Sequence, residues 1–412
     1  MSETARRSRL FSIGPGILLA ATTVGAGDLL TASLAGSEAG LAVLWAVPAG
    51  IILKWTLSEG IARWQMATGA TLLEGWISRL GGWIQWVFLV YLLLFTFVVG
   101  GALSSACGVA GTGFLQIGDP QTSKMIWGVA HSLLGLALVW WGSFRLFEIL
   151  MSGCVVLMFV SVVLTAVLVG PDWGAVARGL VPSVPASGPA WVLGVLGGIG
   201  GTLSLLSYGY WIREENRSGE EGLKACRFDL SLSYIGVALF GMSVVMIGSR
   251  VRIHGQGVDL ALVMADELAG VLGPFGRWAF LAGFWGAVFS SVLGVWQSLP
   301  YLFVDFLRLR RGQAPDALLR ESRAYRCYLL AIAIVPLVWL FRPVKQIQLL
   351  FGVLGACFLP LLALTLLLLN NRRRWVGDGF RSGWLANTVL AVTLALFAYL
   401  GAEEIRSLVR LP

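Results

Sequence analysis

Charge is what this sequence has least of. Of its 412 residues only 13% are Asp, Glu, Lys or Arg, about half the ~25% of a soluble domain. With 57% hydrophobic residues and a mean hydropathy of +0.80, it has too few charged side chains to clothe a water-soluble fold. Histidine is scarce as well: His131 and His254 are too few for a histidine metal site. The five cysteines (Cys107, Cys154, Cys226, Cys327, Cys357) are scattered, mostly in apolar runs, without metal-ligand spacing or a disulfide pattern. No ATP-binding loop and no nucleophile–base pair is present, so neither enzyme chemistry nor a cofactor is expected. The net charge of +8 does not point to nucleic acid, because the basic residues cluster between apolar spans, where they set orientation.

What is present is a series of eleven apolar runs, near 12–36, 41–66, 82–113, 125–142, 145–170, 189–212, 228–249, 278–306, 324–341, 346–370 and 383–401. Each is read as crossing about 30 Å of hydrocarbon. Arg6, Arg7 and Arg9 precede the first run, which continues into a Gly-rich polar segment without a small-residue cleavage site. They read as a cytoplasmic anchor for a retained helix. A cytoplasmic N-terminus places the basic residues inside by about two to one, as the positive-inside rule requires, and puts the C-terminus outside. The 18 tryptophans, several near span ends, suit interfacial belts. The expectation is an all-α, multi-pass protein of the inner (cytoplasmic) membrane, one domain over 1–412, surrounded by lipid and with no obligate protein partner.

Two spans differ from the others. Span one reads Gly14-Pro15-Gly16, then Ala21-Thr22-Thr23-Val24-Gly25-Ala26-Gly27-Asp28. Span six, five spans on, reads Gly197-Gly198-Ile199-Gly200-Gly201-Thr202, then Ser204 and Ser207-Tyr208-Gly209-Tyr210. Each glycine costs about 1 kcal/mol in a helix interior, so such clusters predict unwound stretches, tolerated at that depth only where they line a protein cavity. Gly-interrupted helices at matching places in two halves point to an inverted-repeat transporter with a midplane site. Close packing through small residues is the alternative.

These residues resemble the Nramp family of divalent-metal transporters. The first-span run is similar to that family's helix 1, which carries Asp-Pro-Gly-Asn. Gly200-Gly201-Thr202-Leu203-Ser204 resembles its sixth-helix Gly-Ala-Thr-Val-Met, and Leu359-Pro360-Leu361 with Asn370-Asn371-Arg372 its tenth helix and exit. The resemblance implies a LeuT-like inverted 5+5 repeat with helices 1 and 6 unwound at mid-membrane. Repeat one is placed over about 12–170, repeat two over 189–370 and an extra helix over 383–401. It also exposes departures. The family's metal-binding aspartate falls on Gly25, its asparagine on Asp28, its soft methionine on Ser204, and the following Pro-His pair on Leu205 and Leu206. The helix-10 glutamine falls on Val353, and third-helix proton-relay acids fall on Ala102 and Ser105. Without the thioether, manganese or iron transport is not expected.

The remaining lining is Thr22, Thr23, Gly25, Gly27, Asp28, Gly201, Thr202, Ser204, Ser207 and Tyr208, with Tyr210 nearby. It is rich in hydroxyls and glycine N–H groups, a lining suited to a small oxyanion such as bicarbonate. The alternative is a divalent cation, Mg²⁺, with Asp28 as its carboxylate; a second is a non-transporting sensor, against which the lack of a signalling tail before Pro412 is weighed. Asp28 has two readings, a cation ligand or an N-cap. Glu59 is expected to pair with Arg63 four residues on. Lys54, inside span two, is an anion attractor, a partner of Asp28 or a structural lysine. Ser290 and Ser291 resemble the helix-8 hydroxyls that hold coupling Na⁺ in the symporters of this fold, or else ease packing. Arg213, in Trp211-Ile212-Arg213-Glu214-Glu215-Asn216-Arg217, is a gate residue or part of a solvated exit.

Overall fold

The computed structural model describes residues 27–142, 145–251, 257–313 and 322–409. The described chain is helical, with no strand. A π-helical turn, Gly27–Thr31, leads into α1 (Ala32–Ala39). There follow α2 (Ala46–Thr68), α3 (Gly82–Phe114), α4 (Pro120–Trp141) and α5 (Arg145–Leu168). Span six is divided into α6 (Ala190–Gly198) and α7 (Ser204–Glu214). Then come α8 (Gly219–Gly248), α9 (Leu260–Arg310), α10 (Arg323–Ile334), α11 (Val344–Asn370) and α12 (Trp384–Val409).

Every expected span coincides with a helix, although the first half of span one lies outside the described residues. Six of the described helices are long and apolar enough to cross a membrane, or eight when two sharply bent pairs are each counted as one span. Of the others, α6 and α7 are each half a span, and the apolar stretch of α12, Trp384–Leu400, is shorter. Two differences are local. α9 begins well before the expected 278, and its continuity is interrupted at Gly273 (φ 67°, ψ −161°) ahead of Pro274. The end of span nine tightens into a 3₁₀ helix, Val335–Phe341, at Pro336, whose ring removes an N–H donor.

Apolar side chains face outward at helical spacing, as they do where the solvent is lipid. On α8, Phe228, Leu232, Ile235 and Leu239 are all exposed. Inside, α6 lies against α11 through glycines. A Cβ at Gly197 would sit 1.8 Å from the Gly352 carbonyl oxygen, and one at Gly352 would sit 2.5 Å from that of Gly194. Small residues at both faces allow this backbone-to-backbone approach.

One end of the bundle, where α2, α7 and α9 finish, is tied by charge. Glu59, 3% exposed, receives Arg63 Nη2 at 2.5 Å and Arg227 Nη2 at 2.7 Å. Arg63 also donates to the Arg381 carbonyl oxygen at 2.9 Å. The expected Glu59–Arg63 pair is thus present, and it holds α8 and the α11–α12 loop as well. Around Trp375 the guanidinium carbons of Arg372, Arg374 and Arg79 lie 4.7, 5.3 and 5.9 Å from the ring centroid, within cation–π range.

Candidate functional site at the break in span six

The sequence breaks span six by placing glycine where no other residue fits. α6 ends at Gly198, Ile199 is extended (φ −77°, ψ 135°), and Gly200 and Gly201 follow at φ 75° and 82°. Positive φ at two successive residues is accessible to glycine and costly for side chains. The chain then regains helical form at Ser204. The two half-helix ends present opposite chemistry, carbonyl oxygens from α6 and N–H groups from α7.

The carbonyl end is already occupied. Lys54, fully buried in α2, donates from Nζ to the Gly197 carbonyl at 2.9 Å and to the Ile199 carbonyl. Thr202 Oγ1 donates to the same Gly197 oxygen at 3.0 Å. The lysine therefore does not snorkel to the interface; its ammonium meets the negative end of the α6 dipole. Its expected alternative partner, the Asp28 side chain, lies outside the described residues.

At the N–H end, Leu205 N and Leu206 N donate to the Thr202 and Leu203 carbonyls at 3.1 and 3.0 Å. The residue before α7, Leu203, supplies no side-chain cap. Ser204 is half-buried at the first position of the helix, and Thr202 and Ser207 are buried. Thr31 was not foreseen: its Oγ1 is buried without a hydrogen-bond partner and lies 3.2 Å from where a Gly198 Cβ would stand. Gly201, Thr202 and Ser204 are thus brought to the break, with Ser207 one turn on. Tyr208 goes elsewhere, its phenol turned toward Cys226, with Arg217 and Asp229 alongside. Thr22, Thr23 and Gly25 lie outside the described residues. Gly27 and Asp28 open the π-helical turn before α1, and neither the ligand nor the capping reading of Asp28 is reached by the described side chains.

Ser290 and Ser291, in α9, both donate to the Ala287 carbonyl of their own helix, at 2.9 and 3.0 Å. Arg213, at the end of α7, is bonded to Glu74. Glu74 also faces Arg308 at 3.7 Å, Arg308 pairs with Asp305 at 2.6 Å, and Tyr210 donates to Asp305 Oδ2 at 2.6 Å. Arg213 thus joins α7 to the α2–α3 turn, and through Glu74 to Arg308 of α9. Glu74 was readable in advance: Thr71 and Glu74 form a capping box, with Thr71 N donating to Glu74 Oε2 at 2.7 Å and Glu74 N to Thr71 Oγ1 at 3.3 Å, the Thr-x-x-Glu signature. No three His, Cys, Asp or Glu side chains converge as a metal site among the described residues.

The sequence pattern of the family described as natural resistance-associated macrophage protein-like, Nramp, matches residues 16–405. The chain belongs to the Nramp family. The divalent metal cation transporter MntH 1 of Pseudomonas aeruginosa is 24% identical to it, in an alignment covering 97% of this chain and 91% of that transporter. A manganese transporter from Eremococcus coleocola superposes with a TM-score of 0.70 at 16% identity, covering 97% of this chain and 87% of that one. MhsT in complex with L-phenylalanine superposes with a TM-score of 0.57 at 14% identity, covering 93% of this chain and 98% of MhsT. At these identities the superpositions speak for the fold, which is the LeuT-like arrangement expected. This Nramp protein is a multi-pass membrane transport protein whose broken sixth span carries Ser204 and a lysine-bound carbonyl end.

Proposed function

We propose that this Nramp protein is a secondary transporter of a small inorganic anion across the cytoplasmic membrane, with bicarbonate as the substrate to test. The observation that supports it is the asymmetry of the break. The acceptors at the end of α6 are taken by Lys54 and Thr202, while the start of α7 has no side-chain cap and carries the hydroxyl of Ser204. Among the described residues, the break brings the Ser204 and Ser207 hydroxyls near one ammonium. A divalent ion 4 Å from that ammonium would meet a repulsion of about 8 kcal/mol at an effective dielectric of about 20. Bicarbonate accepts hydrogen bonds on its charged oxygens and donates one from its hydroxyl, which suits the serine and threonine hydroxyls. In this reading the repeats, 12–170 and 189–370, rock about the break to alternate access.

The names of the relatives support a second reading, transport of a divalent cation such as Mg²⁺, and give no support to an anion. That reading draws on Asp28 as a carboxylate ligand. Purified protein in liposomes separates the two. The anion reading expects saturable uptake of labelled bicarbonate with a change in internal pH, and no saturable uptake of Mg²⁺ or Mn²⁺. Uptake of Mg²⁺ abolished by Asp28→Ala would establish the second reading instead. Flux of neither ion would leave a sensor on the same fold.

A further inference from the structure

The charged end of the bundle sets arginines against carboxylates: Arg63 and Arg227 on Glu59, Arg213 on Glu74, Arg308 on Asp305. In the α11–α12 loop Arg373 follows the same rule, with Asp378 Oδ2 2.5 Å from its Nη2. Arg79, Arg372 and Arg374 break it. All three are exposed, and among the described residues none pairs with a carboxylate or hydrogen-bonds through its guanidinium. They do not splay into water to relieve their repulsion. They converge on Trp375, so that no two guanidinium carbons are more than about 11 Å apart, close to the ~8 Å over which salt screens charge. The ring quadrupole attracts each cation but cancels none of its charge. Three positive charges therefore stand together without a counter-charge.

The surroundings indicate what supplies it. Trp375 is packed against the core. From Arg79 the chain enters α3, whose first turns expose Trp83, Trp86 and Val87, and from the loop it enters α12, which opens with exposed Trp384 and Leu385. Arg310, at the end of α9, lies 4.5 Å from the centre of the Trp86 ring. Arginine and tryptophan at the mouths of apolar spans mark the level of the lipid headgroups. Guanidinium forks match phosphate oxygens, and basic clusters beside spans attract anionic lipid.

We propose that Arg79, Arg372 and Arg374, gathered on Trp375, bind the phosphate headgroup of an anionic phospholipid in the adjoining leaflet, with its acyl chains along the exposed starts of α3 and α12. The lipid would tie the α2–α3 turn to the α11–α12 loop, whichever ion the transporter carries.

The test titrates the purified full-length protein in detergent with phosphatidylglycerol, phosphatidylcholine or inorganic phosphate. Thermal unfolding is the readout, because a ligand of the folded state raises its midpoint. Wild type should be stabilised saturably by phosphatidylglycerol, with an apparent affinity at least tenfold higher than for phosphatidylcholine. An equal response to the two lipids would overturn the proposal. So would stabilisation by inorganic phosphate alone at matching concentration, since a free anion would then suffice. Arg79→Gln/Arg372→Gln/Arg374→Gln should weaken phosphatidylglycerol binding at least tenfold. Arg311→Gln/Arg323→Gln/Arg326→Gln, which removes as many exposed charges elsewhere at the same end, should change it less than twofold. Equal losses in the two triple variants would reveal diffuse attraction to a basic end and no site. If the first triple variant is not monodisperse, the single exposed change Arg372→Glu decides: binding should weaken at least threefold, and unchanged affinity would overturn the proposal.

Discussion

Arg213 holds Glu74 in a two-point grip, Nη2 2.5 Å from Oε2 and Nη1 3.2 Å from Oε1. The pair links α7, the second half of the broken span, to the turn between α2 and α3. Bidentate geometry makes it more specific than a surface contact, and Arg308 and Asp305 extend it to α9.

Cutting this link should open the pathway at that end. Glu74→Gln is expected to speed labelling of Ser204→Cys by a water-soluble thiol reagent, in a chain whose five cysteines have been replaced. Arg213→Lys, which keeps charge but loses the fork, should do the same to a smaller degree. Equal labelling rates in all three would remove the gating role.

The α6–α11 contact should be intolerant of a single methyl. Gly197→Ala drives Cβ into the Gly352 oxygen, and overpacking of this kind costs about 1–3 kcal/mol. Gly236→Ala in α8, where a Cβ meets nothing within 4 Å, should instead stabilise by up to about 1 kcal/mol through helix propensity. Thermal unfolding in detergent reads both, and a neutral Gly197→Ala would contradict the packing described.

Ser204 and Tyr208 should part company in transport assays. Ser204→Ala removes a hydroxyl at the start of α7, and loss of a hydrogen bond to a charged ligand, about 1.5 kcal/mol or more, lowers uptake roughly tenfold. Tyr208→Phe removes a phenol that faces Cys226, so uptake should stay near wild type. A larger loss in the tyrosine variant would show that the break is lined differently.

Sodium coupling makes a sharper demand on Ser290 and Ser291. Their protons go to Ala287, which leaves oxygen lone pairs as the only means of holding a cation. If they hold one, replacing external sodium with choline should abolish uptake and Ser291→Ala should mimic it. Uptake unchanged in choline rules the coupling out.

Much of this was legible before any coordinates. Glycine clusters and long apolar runs are local signals, so the broken sixth span, the positions of the helices and the Glu59–Arg63 pair could all be read from spacing. The partners of Lys54 and Arg213 could not, because Lys54 meets carbonyls 143 and 145 residues away and Arg213 meets a carboxylate 139 residues away. A backbone oxygen leaves no mark in a sequence. Tyr208 misled for a related reason: its place beside Ser204 and Ser207 in the chain says which helix it is on, while α8 decides where its ring turns.

The indole of Trp375 sits under three guanidinium groups at once. Such sharing makes the arginines mutually replaceable: Arg79, Arg372 or Arg374 can drift to another residue while two cations still cover the ring. The tryptophan has no understudy. Among descendants of this sequence, the flat aromatic surface should outlast any one of the charges resting on it.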